Sequence, residues 1–503
     1  MTVQGGAKPA AIDAESGRVL NYAELATTSK RLANCLRANG FDRGDRVAIL
    51  MENRVEWLAA MWGVRRAGMR LVPVNWHLHP DEVRYMLANS DARALIASDQ
   101  LRRLAADASE GIEAITCKLA VGGSGDGFED LAATLEGFSD IAPANERDGA
   151  AMPYSSGTTG QPKGILRALE DAPFATPSSL ETLLSGLYAI DAETIYLSPA
   201  PLYHSSPVGF TNTVLVKGGT IVLMPSFDAE AALAAIERFS ITHVQFVPTH
   251  FVRLLRLPEE VRRSYDLSSL KVVVHAAAPC APEVKRAMIA WLGPIVHEYY
   301  AGSERCGFTA IDSADWLAHP GSVGRSRTGA IHILDLDTGE ELPPGEIGAV
   351  YFEDPDPFEY HKDATKTAAT FSRQGWGSHG DVGKVDGEGY LYLADRRSDL
   401  ILSGGVNIYP QEIENVLMLH PSVADCAVIG VANPEFGQEV RAVVQLLPDA
   451  PPADAAELIA HSRARIAGFK SPRSVVFVET LPRLPNGKLL RRRLTDLATL
   501  HAD

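Results

Sequence analysis

The apolar positions of residues 22–70 follow a helical spacing, then a continuous run, then a helical spacing again. Leu25, Leu32 and Leu36 recur at helical intervals in YAELATTSKRLANCLRANG, DRVAILM contains five consecutive apolar residues, and RVEWLAAMWGVRRAG is again helical. Helical spacing predicts an amphipathic helix, whereas a short apolar run predicts a buried strand. Their alternation predicts a parallel sheet covered by helices.

The alternation returns further along the chain and then changes character. Strands are predicted in GGTIVLMP, THVQFVP and LKVVVHA, with helices in THFVRLLRL and APEVKRAMIAWLG. After about residue 330, GAIHILD, GAVYFED and GYLYLADR predict short strands between Gly-rich turns. After DRRSD, helices (PQEIENVLMLHPSV, DAAELIAHSRARI) and strands (DCAVIGV, EVRAVVQLL, SVVFVETL) alternate on a smaller scale. The pattern predicts an α/β protein: a large N-terminal domain of α/β subdomains, a small β-rich section, and a small α+β C-terminal domain.

Composition limits the classes of protein and partner. At 503 residues the chain is too long for one core, and its net charge of −16 argues against nucleic-acid or membrane-surface binding. Five scattered cysteines favour a reduced cytoplasmic setting. No signal peptide or transmembrane run is visible, so we expect a cytoplasmic protein without membrane insertion.

The end of the chain differs in charge from the rest. Residues 461–503 contain nine Lys/Arg and three Asp/Glu, a net of +6, which leaves about −22 for the remainder. A basic C-terminal domain facing an acidic N-terminal one suggests an anion bound between them. An ordinary solvated helix face explains the charges equally well.

The segment PYSSGTTGQPKGIL (153–166) combines small residues, hydroxyls and a lysine. Small residues let backbone N–H groups approach an oxyanion, and hydroxyls add donors. Its spacing is not G-x-x-x-x-G-K-[ST], so it is not a Walker loop. We expect it to lie between strands, whereas a Walker loop opens a helix. By composition alone it could also be a linker.

Four more motifs follow in order, each weak by itself. YYAGSE (299–304) places Ser303 and Glu304 just past a predicted strand, where open α/β sheets bind ligands. The others are HGDVGKVDGEGYLYLADRRSD (379–399), SGGVNIYPQEIE (403–414), in which a helix is predicted after a Gly pair, and LPRLPNGKLLRRRL (481–494). Turns such as PNGK and GDV are common, so only their joint order and spacing is specific.

Together these five motifs resemble the adenylate-forming superfamily, which includes acyl-CoA synthetases, aryl-CoA ligases, luciferases and peptide-synthetase adenylation domains. The resemblance covers about residues 20–494. It implies two half-reactions: a carboxylate attacks the α-phosphate of ATP to give acyl-AMP and pyrophosphate, and a thiol, usually that of CoA, then displaces AMP. ATP, Mg²⁺ and CoA are the implied cofactors. Homodimers are frequent in the family, which is the sole basis for expecting one.

The resemblance also assigns residues to the nucleotide. The loop over the β- and γ-phosphates would comprise Ser155, Ser156, Gly157, Thr158, Thr159, Gly160 and Lys163. The adenine site would comprise Ala277, Ala278 and Pro279 of AAAPC with Glu298, Tyr299 and Tyr300, and Tyr300 would stack on the base. Asp381 and Arg396 would contact the ribose. Glu304 would be the magnesium ligand, and Ser303, where the family usually has Thr, retains a hydroxyl for the α-phosphate.

A moving C-terminal domain is implied as well. Lys488 would bridge the acyl carboxylate and the α-phosphate during adenylation, where a cation neutralises developing charge. The division would be residues 1–395, a hinge at 396–399 centred on Ser398, and a mobile domain at 400–503. Rotation would then withdraw Lys488 and bring Gly404 and Gly405 beside the pantetheine arm.

The segment PLYHSSPVGF (201–210) lies beside the acid pocket in this family. Amino-acid-activating relatives carry an aspartate where this chain has His204, so an α-amino acid is not expected. His204 would separate the acid site from the CoA tunnel. Predicted pocket walls are mainly apolar: Tyr203, Pro207, Val208, Phe210, Phe246, Val247, Phe251, Val274 and His275. His243, His250 and His275 would either donate to a substrate hydroxyl or ketone, or serve structural roles.

The resemblance therefore implies an AMP-forming acyl-CoA synthetase for a fatty, aromatic or steroid side-chain acid. The alternative within the superfamily loads the acyl group onto a carrier-protein phosphopantetheine in trans. A non-catalytic nucleotide-binding relative is disfavoured because Glu304 and Lys488 are present. A luciferase-like oxygenase is not excluded by the residues.

Overall fold

The computed structural model describes most of the chain. The described residues are 6–155, 162–396, 399–403, 406–433, 436–448, 450–451, 453–483, 489–490 and 493–494, with the backbone alone at 395, 396, 406 and 407. Among the described residues, no helix is long and apolar enough to cross a membrane.

The first part of the chain alternates strands and helices. Its helices are α1 (Tyr22–Ala38), α2 (Val55–Arg66), α3 (Pro80–Asn89), α4 (Arg102–Ser109) and α5 (Leu131–Glu136). Its strands are β1 (Pro9–Asp13), β2 (Val19–Asn21), β3 (Arg46–Leu50), β4 (Arg70–Pro73), β5 (Ala92–Ser98), β6 (Cys117–Val121), β7 (Glu129–Asp130), β8 (Ala150–Ala151), β9 (Tyr154–Ser155) and β10 (Lys163–Leu166).

The middle of the chain continues the alternation. Its helices are α6 (Ser179–Leu187), α7 (Ser205–Lys217), α8 (Ala229–Phe239), α9 (Pro248–Arg256), α10 (Glu259–Arg263), α11 (Pro282–Leu292) and α12 (Ser313–Ala318). Its strands are β11 (Ile195–Ser198), β12 (Thr220–Leu223), β13 (His243–Phe246), β14 (Val272–His275), β15 (Val296–Ala301), β16 (Phe308–Ile311) and β17 (Arg325–Ser326).

Strands dominate the remainder of the chain. They are β18 (Ile331–Leu334), β19 (Gly348–Phe352), β20 (Glu359–Tyr360), β21 (Asp381–Val385), β22 (Leu391–Arg396), β23 (Ile401–Ser403), β24 (Val406–Ile408), β25 (Val423–Asn433), β26 (Gly437–Leu446) and β27 (Ser474–Phe477). The helices are α13 (Ala364–Ala369), α14 (Pro410–Leu417) and α15 (Ala455–Arg463).

Local sequence explains the boundaries of α1. Asn21 accepts a hydrogen bond from the backbone N–H of Glu24, whose side chain accepts from the backbone of Asn21, so a capping box opens the helix. Leu25, Leu32 and Leu36 are buried on one face, as their spacing predicts. Just beyond the helix, Gly40 adopts a φ of 75°, a conformation that glycine accepts without strain.

Two interleaved compact units make up the chain. One comprises Met1–Phe246, Arg256–Val274 and Pro357–Ala368, and the other comprises Val247–Leu255, His275–Asp356 and Ala369–Asp503. The domain division predicted at residues 396–399 stays a prediction. The predicted fold class is confirmed: the chain is α/β, with a large N-terminal domain and a small C-terminal one.

Parallel sheets form the core of the first unit. A six-stranded sheet has the order β7-β6-β5-β3-β4-β8, with every pair parallel. A second run has the order β2-β1-β12-β11-β13-β14, in which β1 pairs with β12 in parallel and with β2 antiparallel. The strand–helix alternation of the sequence therefore produces the βα architecture that it predicts.

Antiparallel sheets dominate the second unit. Strand β15 pairs antiparallel with β16, which pairs antiparallel with β17. The order β18-β19-β21-β22 forms the predicted β-rich section. At the C-terminal end, β24-β23-β26-β25 form one sheet, with β27 parallel to β26.

One strand near the C-terminal helix α14 was not predicted from the sequence. Strand β24 lies between the Gly pair at 404–405 and helix α14, whose first residue is also the first residue of the predicted helix PQEIENVLMLHPSV. The helix begins at Pro410, which is well suited to the first helical position because proline lacks an N–H. Ile408, the last residue of β24, is buried in the C-terminal core, which favours an extended segment before Pro410.

Candidate active site

The predicted ribose and adenine residues meet at the start of β21. The hydroxyl of Tyr300 donates a hydrogen bond of 2.5 Å to Oδ2 of Asp381, which is only 8% exposed. In the ladder between β21 and β22, Asp381 lies directly opposite Arg396. Three residues from two separate motifs are thus brought together by one hydrogen bond and one strand pairing.

The alternation of β15 distinguishes its two neighbouring tyrosines. Tyr299 is buried and stacks on Phe308, with ring centroids 4.9 Å apart and an interplanar angle of 8°. Tyr300 is partly exposed and meets the rings of Phe352 at 6.3 Å and His379 at 5.5 Å. Because successive strand residues point to opposite faces, only Tyr300 shares a face with Asp381.

The turn after β15 is fixed by a histidine that the sequence analysis did not identify. The backbone N–H of Gly302 donates to Nε2 of His379 at 3.1 Å, and the same nitrogen lies 3.1 Å from the carbonyl oxygen of Gly307. A Cβ atom at Gly302 would collide with His379 and come within 2.9 Å of Oε2 of Glu304. The only sequence signal for His379 is its position two residues before Asp381.

This turn presents the predicted magnesium and α-phosphate residues. Ser303 and Glu304 follow the end of β15 at Ala301, as the sequence predicts, and both are partly exposed. No group of three or more His, Cys, Asp or Glu that could hold a metal ion occurs among the described residues. Glu304 carries a hard carboxylate, a ligand type that suits Mg²⁺ bound together with nucleotide phosphates.

A strained turn follows β14. Ala277 has a φ of 75°, a left-handed conformation that costs a residue with a side chain about 1–3 kcal/mol. Ala277 and Pro279 are exposed, and Ala278 is partly so. Such strain clusters at ligand sites, which is consistent with the predicted adenine contact of this turn.

Glu298 forms a buried ion pair. Its Oε2 atom lies 2.5 Å from Nζ of Lys285, a fully buried side chain on α11. The ammonium also lies 4.9 Å from the ring centroid of Trp316. Burial raises the pKa of Glu298, while Lys285 opposes that shift. The sequence analysis did not identify Lys285, because nothing in APEVKRAMIAWLG distinguishes it from an exposed helix residue.

His275 lies beside this pair. Its Nε2 is 3.5 Å from Oε2 of Glu298, and its ring centroid is 5.1 Å from that of Phe251. Neither ring nitrogen makes a hydrogen bond with a described residue. Complete burial, reinforced by Lys285, holds the pKa of His275 well below its usual value, so the ring is neutral.

The other two candidate histidines are buried as well. Nε2 of His243 is 2.8 Å from the carbonyl oxygen of Tyr188, and Nδ1 is 2.8 Å from Oγ1 of Thr242, so both of its nitrogens are engaged structurally. Burial, with a smaller contribution from Arg253, lowers the pKa of His250 to about 3. Burial also lowers the pKa of His243. Both rings are therefore neutral near pH 7.

In the first unit, the segment around His204 leads into α7. His204 immediately precedes the helix, and its ring centroid is 4.4 Å from that of Tyr203. Pro207 and Val208 are buried in the first turn. The hydroxyl of Tyr203 makes no hydrogen bond with a described residue, and burial raises its pKa.

Aromatic and amide contacts surround that first turn. The ring of Phe210 stacks with Tyr188 and Tyr196, each with centroids 5.8 Å apart. Gln245 on β13 donates from Nε2 to Oγ of Ser206. Phe246, the last residue of β13, is 1% exposed. The predicted acid-binding residues of this unit are thus mainly apolar, with hydroxyl and amide groups among them.

Two antiparallel strands flank the predicted phosphate loop. Lys163 of β10 lies opposite Ser155 of β9, and Gly164 lies opposite Tyr154, so the prediction that the segment lies between strands is confirmed. Ser155 is partly buried, and its Oγ makes no hydrogen bond with a described residue. Nζ of Lys163 lies 2.7 Å from Oδ2 of Asp363, a residue that the sequence analysis did not identify.

Several predicted residues lie outside the described part of the chain. Arg396 is described by its backbone alone. The others are Ser156, Gly157, Thr158, Thr159, Gly160, Ser398, Gly404, Gly405 and Lys488. Their roles stay predictions.

Two family profiles match the chain in succession. One, described as AMP-binding enzyme, matches residues 2–359. The other, described as AMP-binding enzyme C-terminal domain, matches residues 412–488.

Curated relatives and solved structures agree with the profiles. The chain is 34% identical to a feruloyl-CoA synthase of an Amycolatopsis species, over 94% of this chain and 93% of that one. It is 32% identical to an indoleacetate–CoA ligase of Aromatoleum aromaticum, over 94% and 92% of the two chains. The crystal structure of ATP-bound MatB from Rhodopseudomonas palustris superimposes with a TM-score of 0.85 at 29% identity, covering 99% of this chain and 97% of that one. The chain therefore belongs to the AMP-binding enzyme family and is an acid–thiol ligase of the acyl-CoA synthetase type.

Proposed function

We propose that the protein couples a hydrophobic monocarboxylic acid to CoA in two half-reactions. The acid carboxylate attacks the α-phosphate of ATP, forming acyl-AMP and releasing pyrophosphate. The CoA thiol then attacks the acyl carbonyl and AMP leaves. The observation that carries the proposal is the 2.5 Å hydrogen bond between Tyr300 and Asp381, with Arg396 opposite in the ladder, because it joins residues of two separate motifs that we predict to bind the nucleoside.

In this proposal Asp381 accepts hydrogen bonds from the ribose hydroxyls. A carboxylate that is 8% exposed is well suited to this role, because a hydrogen bond to a charged group is strong where water is scarce. Tyr300 stacks on adenine from the same face of β15. Glu298, held by Lys285, supports the strand beneath Tyr300, since residues two apart share a face.

The phosphates require positive charge. Lys163 would contact the leaving pyrophosphate, Thr158 and Thr159 would donate to it, and Lys488 would neutralise the α-phosphate as charge develops there. Glu304 would hold Mg²⁺, which supplies shielding of the phosphate charge. Ser303 would donate its hydroxyl to the α-phosphate.

The predicted acid-binding segments favour an uncharged, apolar substrate body. Buried apolar groups at Val208 and Phe246 and neutral rings at His250 and His275 present no cation for a second carboxylate. An apolar wall with a few polar groups is typical of small-molecule pockets. The relatives named for ferulate and indoleacetate make aromatic acids the first class to test, followed by fatty and steroid side-chain acids.

The test is pyrophosphate release from the purified protein across benzoic, cinnamic, indole-acetic, fatty and steroid acids. Each acid is assayed with and without CoA, and with and without Mg²⁺. We expect Mg²⁺-dependent release that depends on the acid, and an acyl-CoA product by mass spectrometry when CoA is present. Release that does not depend on any acid would contradict the proposal.

The same assay, with a phosphopantetheinylated carrier protein in place of CoA, tests the alternative acceptor. If a phosphopantetheinylated carrier protein replaces CoA as the better acceptor, the alternative of carrier loading in trans is correct. Rotation about Ser398, approach of Gly404 and Gly405 to CoA, a homodimer and a cytoplasmic location stay predictions. His204 as a separator between the acid and CoA sites belongs with them.

A further inference from the structure

Lys163 forms an ion pair with a carboxylate of its own chain. Its Nζ lies 2.7 Å from Oδ2 of Asp363, and the two side chains are 21% and 22% exposed. The pKa of Lys163 is raised and that of Asp363 is lowered, in each case chiefly by their mutual hydrogen bond. The ammonium assigned to the phosphates therefore has a resident counter-ion.

The counter-ion is held in place by its own backbone surroundings. The other carboxylate oxygen, Oδ1, accepts the backbone N–H of Lys366 at 3.0 Å, at the start of α13. The carbonyl oxygen of Asp363 accepts from Oγ1 of Thr367 at 2.9 Å, and that hydroxyl also accepts the backbone N–H of Tyr360 at 2.8 Å. The carboxylate thus keeps its position independently of Lys163.

Residues 359–367, here called the bracing segment, also hold the strand that carries Lys163. Strand β10 pairs with β20 through Ile165 and Tyr360, and the backbone N–H of His361 donates to the carbonyl oxygen of Gly164 at 2.8 Å. The segment is anchored in turn by Asp91, whose carboxylate lies 3.0 Å from Nε2 of His361 and 2.7 Å from Nζ of Lys362. Lys163 and Asp363 are therefore positioned by one hydrogen-bonded framework.

We propose that Asp363 is a positioning residue that holds the Lys163 ammonium in the nucleotide-free enzyme and releases it to the β- and γ-phosphates of ATP. The contact with Asp363 occupies one of the three N–H donors of the ammonium and compensates its charge, so the carboxylate competes with the phosphate oxygens for it. The same competition returns Lys163 to Asp363 when pyrophosphate leaves. The inference rests on the proposed contact of Lys163 with pyrophosphate.

The competition makes a prediction that is specific for phosphate content. Removal of the Asp363 charge should increase the affinity for the ligands that carry the β- and γ-phosphates, namely ATP and pyrophosphate. AMP lacks those phosphates, so its affinity should not change. If Asp363 had a purely structural role, removal of its charge would instead lower the affinity for all three ligands and the stability of the fold.

The test is the Asp363→Asn variant. Its side-chain oxygen can still accept the N–H of Lys366, because asparagine is as good a helix cap as aspartate. Calorimetric titration of the apo protein should give Kd values for ATP and pyrophosphate that are about two- to fivefold lower, the size expected for a partly exposed ion pair. Unchanged Kd values for both, or an equal shift for AMP, would overturn the proposal.

Two further variants sharpen the result. Asp91→Asn removes the same charge from the same framework but from the partner of Lys362, and its left-handed φ of 54° suits asparagine. It should leave all three Kd values unchanged. In a Lys163→Met background, Asp363→Asn should no longer lower the Kd for ATP or pyrophosphate.

Failure of the proposed function would be distinguishable from failure of this inference. The titrations need no acid and no turnover, so they report on Asp363 even if no acid supports pyrophosphate release. Conversely, acid-dependent pyrophosphate release together with unchanged Kd values in Asp363→Asn would support the proposed function but reject the competition between Asp363 and the phosphates for Lys163.

Discussion

Single residues acquire distinct roles only through the faces on which they lie. Tyr299 and Tyr300 are adjacent and chemically identical, yet one is buried in a stack with Phe308 and the other binds Asp381. The resemblance named both as nucleotide contacts. The alternation of β15 supports Tyr300 as the residue that stacks on the base.

We predict that Asp381→Ala will weaken ATP binding about tenfold to a hundredfold. Loss of a charged hydrogen-bond acceptor in a buried position has an effect of that size. Calorimetric titration with ATP measures it. Tyr300→Phe is the matched control: it removes the hydroxyl bonded to Asp381 but keeps the ring, so it should change the Kd far less. Equal losses in both variants would argue against a direct ribose contact by Asp381.

At the scale of elements, buried charge joins α11 to β15. Lys285 is fully buried within the apolar face of α11, and only Glu298 on β15 compensates its charge at short range among the described residues. Desolvating two charges is costly, so such a pair adds little net stability, whereas breaking it leaves one charge unpaired. The pair therefore constrains how the helix packs beneath the strand that carries Tyr300.

We predict that Lys285→Met will lower the free energy of unfolding by about 3–5 kcal/mol, because it leaves the Glu298 charge unpaired. The double variant Lys285→Met/Glu298→Gln should recover much of that loss. Denaturant unfolding measures both. Arg263→Met, which breaks the exposed pair with Glu259, is the control and should cost about 0–1 kcal/mol. A double variant as unstable as Lys285→Met would mean that packing, not charge, dominates.

His250 on helix α9 makes the free energy of unfolding depend on pH. The pKa of His250 is about 3 in the folded protein and near 6.5 when solvated, so between these values only the unfolded chain takes up the proton. The free energy of unfolding should therefore fall by about 1.4 kcal/mol for each pH unit below 6.5 on account of this residue.

We predict that His250→Gln will flatten this slope by one proton between pH 6 and pH 4. Denaturant unfolding at several pH values gives the slope, which does not depend on any offset in stability at neutral pH. His79→Gln, at a mostly exposed histidine before α3, is the matched control and should retain the wild-type slope. An unchanged slope in His250→Gln would show that this ring is solvated in the folded protein.

At the scale of the whole molecule, distant segments complete each site. Lys163 and Asp363 are 200 residues apart in sequence, and Ile165 and Tyr360, which pair between β10 and β20, are 195 residues apart. Asp363 was not identified from the sequence, because HKDATKTAAT reads as an ordinary helix start. Its role as a counter-ion follows only from the return of the chain to the first unit at residues 357–368.

We predict that Lys488→Ala will abolish formation of acyl-AMP from acid and ATP but leave thioester formation from supplied acyl-AMP largely intact. The reason is that Lys488 would neutralise charge at the α-phosphate in the first half-reaction and would be withdrawn by rotation before the second. Pyrophosphate release measures the first step, and acyl-CoA from synthetic acyl-AMP measures the second. Equal loss of both steps would reject the assigned role.

By itself, the sequence determined the element pattern and the family. The spacing of Leu25, Leu32 and Leu36 placed α1, alternating apolar runs placed the βα units, and five ordered motifs indicated the reaction, because periodicity and local motifs are properties of neighbouring residues. Only the tertiary structure decided which distant groups meet: Tyr300 with Asp381, Lys285 with Glu298, and Lys163 with Asp363. Such contacts depend on strand register and helix packing, which no short stretch of sequence encodes.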